Sequence, residues 1–125
     1  MKLDARAEKA LRGVHPDLVR VVRRAAADSP LDFTVTEGLR TLERQHRLVA
    51  AGASRTLLSR HLDGRAVDLA VKIGGQIRWD WPLYARLADC VKAAAAEVGV
   101  PLTWGGDWKS FRDGPHFELD RAAYP

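Results

Sequence analysis

The sequence has little of several features that define other classes of protein. Its single cysteine, Cys90, excludes an internal disulfide and a thiolate metal cluster, so we expect it to be a buried apolar residue. The longest apolar candidate, the alanine-rich segment 91–98, is far short of the roughly 20 residues of a membrane-spanning helix. The N-terminus also lacks the apolar core of a signal peptide. These absences predict no membrane insertion and a chain kept in the cytoplasm.

The remaining composition is that of one ordinary globular domain. With 125 residues, of which 46% are hydrophobic and 29% charged, the chain predicts a single domain over 1–125. Fifteen arginines stand against five lysines, the net charge is +4 and the pI is near 9.6. This charge favours attraction to polyanions. No motif of a nucleic-acid module accompanies it, so we expect no nucleic-acid partner.

Apolar spacing and turn residues predict mixed secondary structure. The sequence indicates helices over about 16–27, 41–51 and 80–98, and a loop over 53–61. It indicates strands over 32–36, 66–71, 76–79, 102–104 and 116–119, with Gly74 and Gly75 as a hairpin turn. The prediction is an α+β domain in which a small antiparallel sheet packs with about three helices.

Two short segments carry most of the chemically informative residues. The run from Ser59 to Asp68 contains His61 and Asp68, and the run from Asp113 to His116 adds a second histidine. Two histidines and a carboxylate fill three corners of a tetrahedral Zn²⁺ site and leave the fourth for water, as in catalytic zinc sites. Asp113 is an additional carboxylate that can take a proton from water. The spacing therefore predicts a hydrolytic zinc centre.

Strand alternation predicts how these residues are presented. Side chains alternate between the two faces of a strand, so Asp68 lies between two alanines on one face while its apolar neighbours face the core. On the last strand His116 and Glu118 share a face. Gly64 allows a sharp turn before the first of these strands, and Gly114 allows a bend that brings Asp113 beside His116. Two strands are thus expected to hold the ligands on a rigid backing.

The residues of these two segments resemble those of a known family. The pattern Ser-x-His-x-x-Gly-x-Ala-x-Asp, followed by Asp-x-x-His, is similar to that of the LAS-type zinc peptidases of peptidoglycan. These comprise VanY-like D-alanyl-D-alanine carboxypeptidases and the L-alanyl-D-glutamate peptidases that serve as phage endolysins. Further matching segments extend the resemblance over about 33–119: Glu37-Gly38-Leu39-Arg40-Thr41 with Gln45, Trp104-Gly105-Gly106-Asp107-Trp108 and His116-Phe117-Glu118-Leu119. The resemblance implies a Hedgehog/D-Ala-D-Ala-peptidase-like fold.

The resemblance also implies roles for individual residues. It implies His61, Asp68 and His116 as zinc ligands. It implies Asp113 as the catalytic carboxylate, where carboxypeptidase-type relatives more often carry Glu, and Arg40 as the group that binds the substrate carbonyl and its oxyanion. The candidate substrate-binding residues are Ser59, Gln45, Asp107 and Trp108. Ser59 is alternatively an outer-shell or ordinary loop serine, and Trp108 and Trp104 are alternatively core residues.

With aspartate rather than glutamate at position 113, the chain resembles the endolysin branch of the family. The resemblance therefore implies an L-alanyl-D-glutamate endopeptidase that acts on the peptidoglycan stem peptide. The length of 125 residues predicts no separate cell-wall-binding domain. We expect a monomer that waits in the cytoplasm until host lysis and then acts on the cell wall. The alternatives are D-alanyl-D-alanine carboxypeptidase or dipeptidase activity, or a non-catalytic binding module that contains zinc.

Overall fold

Four helices and five strands make up the part of the chain that the computed structural model describes, residues 1–54 and 59–125. The helices are α1 (Ala5–Ala10), α2 (Pro16–Asp28), α3 (Leu42–Ala50) and α4 (Trp81–Val98). The strands are β1 (Asp32–Glu37), β2 (Ala66–Ile73), β3 (Gln76–Arg78), β4 (Leu102–Trp104) and β5 (His116–Leu119). Two 3-10 turns, Arg60–Asp63 and Gly105–Asp107, adjoin the sheet.

The strands form one antiparallel sheet in the order β1-β2-β5-β4, and β3 pairs with the far end of β2. β2 is the central strand. In its pairing with β5, Asp68 is directly opposite His116. In its pairing with β1, Asp68 is opposite Glu37, beyond an irregularity that follows Val35. The sheet register therefore brings three of the polar residues highlighted by the sequence to the same place.

One face of the sheet is covered by α2 and α4. Val67 and Leu69 of β2 and Phe117 of β5 point into this core and are fully buried. Burial of each such side chain stabilises the fold by about 1.5–3 kcal/mol. Asp68 and His116 lie on the other face, as the two-residue alternation predicts.

Local sequence explains where the two core helices begin and end. α2 starts with Pro16 at its first position, and the ring nitrogen Nδ1 of His15 accepts a hydrogen bond from the Asp17 amide at 3.0 Å. α4 also has proline in its first turn and ends at Gly99, whose φ of 73° is left-handed. The ion pair between Arg24 and Glu97 joins the two helices on the surface.

The predicted helices and strands are confirmed, with bounds that differ by at most two residues. The structure adds one helix, α1, to the three predicted. α1 has six residues and one buried side chain, Ala7, so it is too short to show a helical period. Its N-cap Asp4 accepts a hydrogen bond from the Ala7 amide at 2.8 Å. The loop predicted over 53–61 runs into the 3-10 turn at Arg60, and its residues 55–58 lie outside the described part of the chain.

Cys90 is half-buried on α4 and packs against the core, rather than being fully buried as expected. Its Sγ lies 3.7 Å from the carbonyl oxygen of Ala25. No helix in residues 1–54 or 59–125 is long and apolar enough to cross a membrane.

Candidate metal centre and active site

His61, Asp68 and His116 converge on one point beside the sheet. One ligand atom from each of the three lies within 4.8 Å of the others. Oδ1 of Asp68 is 3.3 Å from Nε2 of His61 and 3.5 Å from Nδ1 of His116. The two imidazole rings are 5.2 Å apart at 73°, so their nitrogens approach the carboxylate from different directions. The structure thus brings together the three residues that the sequence indicated as ligands.

Two atoms of this cluster are buried without a hydrogen-bond partner among the residues that the structure describes. They are Nε2 of His61 and Oδ1 of Asp68. A buried polar atom left unsatisfied costs about 1–3 kcal/mol, so such a pair in a native site requires an explanation. A cation shared between them satisfies both. Two imidazoles and a carboxylate are also a donor set that suits a divalent metal with an open coordination position. The residues therefore fit a metal ion.

The His61 ring is oriented by the backbone on its outer side. Its Nδ1 lies 2.9 Å from the carbonyl oxygen of Gly38 and therefore carries the proton that it donates to this carbonyl. That tautomer leaves the lone pair of Nε2 directed at the cluster. Ser59 caps the 3-10 turn, because its Oγ accepts a hydrogen bond from the His61 amide at 3.2 Å. Gly64 ends the turn with a left-handed φ of 73° and returns the chain to β2.

The His116 ring is oriented by a carboxylate. Its Nε2 lies 2.9 Å from Oε1 of Glu118, and Oε2 of Glu118 accepts a hydrogen bond from Nε of Arg121 at 3.0 Å. This leaves Nδ1 of His116 facing Asp68. A carboxylate on the outer nitrogen of a ligating histidine fixes the ring and raises its basicity. The sequence had placed Glu118 on the correct face but had given it no role.

The cluster of His61, Asp68 and His116 holds charged groups in a buried place. Burial opposes protonation of His116, but the neighbouring carboxylates of Asp68 and Glu118 outweigh this and raise its pKa to about 9. Burial also opposes ionisation of Asp68, yet His116 and His61 hold the pKa of this carboxyl well below its usual range. The protein therefore stabilises positive charge beside an ionised Asp68, which is the electrostatic environment that a cation needs.

Asp113 lies at the edge of the cluster with a raised pKa. Burial is the main cause, and the negative charge of Asp68 adds to it. A bend brings the residue beside the ligand strand, and the Asp113 carbonyl accepts a hydrogen bond from the His116 amide at 3.3 Å. Gly105 permits this approach, since a Cβ there would lie 2.5 Å from the Asp113 carbonyl oxygen and 3.1 Å from Cβ of His116. A carboxyl whose pKa is raised is suited to proton transfer.

Arg40 lies beside Asp68 and is held by hydrogen bonds. Its side chain is 8% exposed. Nε donates to Glu37 at 2.8 Å, Nη1 donates to the Gln45 side chain at 2.7 Å, and Nη2 is 3.7 Å from Oδ2 of Asp68. Burial opposes ionisation of Glu37, but hydrogen bonds from Arg44 and Arg40 lower its pKa. The sequence gave Glu37 no separate role, although its spacing of three residues before Arg40 is a signal for such a pair.

The predicted substrate contacts differ in where they lie. Ser59 and Trp108 line a cleft of about 270 Å³. The three candidate metal ligands, Asp113 and Arg40 line the same cleft. The Trp108 ring is 5.0 Å from the His116 ring. Gln45 is fully buried and supports Arg40 from behind. Asp107 is outside the set that lines the cleft, and its carboxylate pairs with Lys92 at 2.7 Å.

Several residues that line this cleft were not predicted from the sequence. They include Phe111, which has a left-handed φ of 50°, and the basic residues Arg44, Arg60 and Arg121. Arg60 lies within the run from Ser59 to Asp68, at a position that the pattern leaves open. The other three lie outside the segments that the sequence highlighted, and only the folded chain brings them to the cleft.

The chain combines this α+β fold with a cleft whose residues fit a metal ion, and comparison with known proteins identifies the family. The family model described as phage L-alanyl-D-glutamate peptidase matches residues 1–123. The L-alanyl-D-glutamate peptidase of Escherichia phage T5 is 35% identical, over 98% of this chain and 92% of its own length. The chain therefore belongs to the phage L-alanyl-D-glutamate peptidase family and is a peptidase.

Solved structures agree with this assignment. The crystal structure of Serratia marcescens L-Ala D-Glu endopeptidase ChiX has a TM-score of 0.93 and 50% sequence identity, covering 99% of this chain and 94% of that one. The D,D-dipeptidase VanXYg shares the fold, with a TM-score of 0.57 and 20% identity over 85% of this chain and 50% of its own. The fold is thus that of the D-Ala-D-Ala-peptidase-like enzymes, as the resemblance implied.

Proposed function

We propose that this chain hydrolyses the amide bond between L-alanine and D-glutamate in the peptidoglycan stem peptide, as a zinc-dependent endolysin. The observation that carries the proposal is the cleft in which the buried cluster of His61, Asp68 and His116 is flanked by Asp113 and Arg40. The choice of bond is supported by the relatives, because the L-Ala D-Glu endopeptidase structure is 50% identical to this chain and the D,D-dipeptidase structure only 20%.

In this proposal Nε2 of His61, a carboxylate oxygen of Asp68 and Nδ1 of His116 would hold Zn²⁺. Zinc bound there supplies a Lewis acid that polarises the carbonyl and makes water a better nucleophile at neutral pH. Glu118 and the Gly38 carbonyl fix the two imidazoles, so that their inner nitrogens present lone pairs to the ion.

Asp113 is the proposed general base and acid. In its ionised form the carboxylate takes a proton from the water that attacks the L-alanyl carbonyl carbon. It then gives this proton to the nitrogen of D-glutamate as the C–N bond breaks. The second proton of the water passes from the new carboxyl group to the released amine, which yields a carboxylate on alanine and an ammonium group on glutamate. The partly buried setting raises the pKa of Asp113 above its usual value, which makes its carboxylate a stronger base toward the attacking water.

Arg40 is the group that we propose to stabilise the oxyanion formed from the substrate carbonyl. During attack the carbonyl oxygen gains negative charge, and a guanidinium already fixed by Glu37 and Gln45 stabilises this charge without first having to become ordered. Gln45 is thereby proposed to position Arg40. We propose Ser59 and Trp108 as substrate contacts because both line the cleft. The location of Asp107 gives it no substrate contact in this proposal.

Mass spectrometry of digested muropeptides tests the proposed bond. The protein should release stem peptides that begin with D-glutamate, should lose activity with a chelator, and should regain it when zinc is returned. Loss of terminal alanine instead would identify a D-alanyl-D-alanine carboxypeptidase or dipeptidase, and binding without any release would identify a non-catalytic module. His61→Ala should remove metal and activity together, whereas the matched change His46→Ala, at an exposed histidine, should preserve both.

The proposed site of action is the cell wall, where the substrate lies. Accumulation in the cytoplasm before host lysis, a monomeric state and the organisation of the chain as one catalytic domain without a wall-binding module all stay predictions.

A further inference from the structure

A basic groove adjoins the active-site cleft on the side of α1. It has a volume of about 610 Å³, and its lining includes Arg6 and Lys9 of α1, Arg12 just after this helix, and Arg44 of α3. Arg6, Lys9 and Arg12 are exposed. The exposed Leu39 lines the same groove.

The positive charge of this groove is not neutralised by nearby carboxylates. Within residues 1–54 and 59–125, no acidic side chain pairs with Arg6, Lys9 or Arg12. The one carboxylate in the lining, Glu37, is already shared by two arginines.

The acidic side chains at α1 pair with residues outside the groove. Glu8 pairs with Arg23, and Asp4 accepts hydrogen bonds from Thr34 and Lys72. The groove therefore presents free cations to solvent, and such a concave surface of one charge concentrates anions.

The groove and the cleft are neighbours that share part of their walls. Glu37 and Arg44 line both of them. Gly38 is packed so closely on the end of α1 that a Cβ would lie 2.1 Å from the carbonyl oxygen of Ala10. The same Gly38 holds His61 through its own carbonyl. The cations of α1 therefore lie on the far side of the wall that Glu37 and Arg44 form with the cleft.

We propose that this groove is an extended subsite that binds carboxylate groups of the peptidoglycan stem peptide. This inference rests on the proposed function, since the bond cleaved there precedes D-glutamate, whose free carboxylate makes the substrate anionic close to the scissile bond. Arginine and lysine bind carboxylates through charge-assisted hydrogen bonds, and the arginine fork does so with two parallel bonds.

The test compares two charge-matched double variants on soluble muropeptides. Lys9→Gln with Arg12→Gln removes two groove cations, and Lys2→Gln with Arg86→Gln removes one lysine and one arginine, both exposed, outside the groove. Loss of two exposed ionic contacts should raise KM about three- to tenfold with kcat unchanged. The control pair should retain the parental KM. On muropeptides whose carboxylates are amidated, the parental protein should already show the raised KM, and the groove variant should add nothing.

Three results would overturn the subsite. The first is an unchanged KM in the groove variant while the parental protein cleaves normally. The second is an equal rise in the control pair, which would indicate a general effect of net charge. The third is a loss of binding confined to cell walls that retain phosphate polymers, which would assign the groove to phosphate. Failure of the proposed function itself is distinct, since the parental protein would then not cleave the bond before D-glutamate.

Discussion

The imidazole of His61 donates its Nδ1 proton to the backbone carbonyl of Gly38, 2.9 Å away. Gly38 in turn lies against the end of α1 with no room for a side chain. The orientation of a candidate metal ligand therefore depends on the close packing of a glycine against a two-turn helix.

Gly38→Ala should disturb both the fold and the metal site. Its new Cβ would lie 2.1 Å from the Ala10 carbonyl oxygen, so the backbone must shift. We expect a loss of about 1–3 kcal/mol in the free energy of unfolding, together with weaker metal binding, measured by urea denaturation and chelator competition. Gly99→Ala is the control. Its new Cβ would meet nothing within 4 Å, but its left-handed φ of 73° disfavours any residue other than glycine, so stability should fall without an effect on the metal site. That variant should lose stability and keep its metal affinity, and equal metal affinity in Gly38→Ala would contradict the role of this contact.

Glu118→Gln should weaken metal binding while preserving the fold. The substitution keeps the shape of the side chain but removes the charge that supports Nε2 of His116. Outer carboxylates of this kind typically contribute about 10- to 100-fold to metal affinity. The exposed Glu97→Gln, on α4, provides a matched control. The prediction fails if titration with a fluorescent zinc chelator gives the same affinity for both variants.

Arg40→Ala should reduce turnover and retain the metal. Removal of an oxyanion donor typically lowers kcat by about 100- to 1,000-fold. Zinc content, measured by elemental analysis, should match that of the parental protein, because Arg40 is not a ligand. Arg47→Ala, at an exposed arginine of α3 paired with Glu43, should have little effect on kcat. A folded, zinc-loaded Arg40→Ala protein with parental turnover would exclude the proposed role.

Asp113→Asn should abolish peptide hydrolysis without loss of zinc. The amide cannot accept the proton of the attacking water, and the metal ligands are unchanged. Asp107→Asn is an informative comparison, because the sequence suggested this residue as a substrate contact and the structure places its carboxylate against Lys92. Only the first substitution should remove activity in a muropeptide assay. A large fall in kcat/KM for Asp107→Asn would instead indicate that this residue contacts the substrate.

Asp4→Asn should lower stability in a pH-dependent manner. Partial burial opposes ionisation of Asp4, but hydrogen bonds from Thr34, the Ala7 amide and Lys72 outweigh it and lower its pKa. A lowered carboxyl pKa stabilises the folded state above the unfolded pKa of about 3.9, and this contribution is lost as the pH falls through the folded value.

Urea unfolding should therefore show a lower midpoint for Asp4→Asn at pH 7, with a difference that narrows in acid. Asp89→Asn, at an exposed position of α4, serves as the comparison. A difference that stays constant between neutral and acidic pH would show that the charge of Asp4 is not responsible.

Much of this site could be predicted from the sequence because strand geometry is regular. Alternation alone put Asp68 on the face away from the core and His116 with Glu118 on one side of β5, and the structure shows both. The same regularity predicted the long helices, whose apolar residues recur over several turns.

Other parts of the site could not be predicted, since they depend on which distant segments meet. α1 buries a single side chain and leaves no periodic pattern. Gln45 and Asp107 have the residue types of substrate contacts, but burial behind Arg40 and pairing with Lys92 decide their surroundings. The carbonyl that orients His61 belongs to the backbone, which carries no signal in a sequence.

The pairing of Asp68 with His116 across two strands has a consequence for folding. If β5 slipped by one residue, Phe117 would face the cleft and the imidazole would enter the core. A compact but misregistered chain would thus lose its ion-binding site while retaining most of its secondary structure. Metal uptake during refolding would therefore report when the central strands have reached their native alignment.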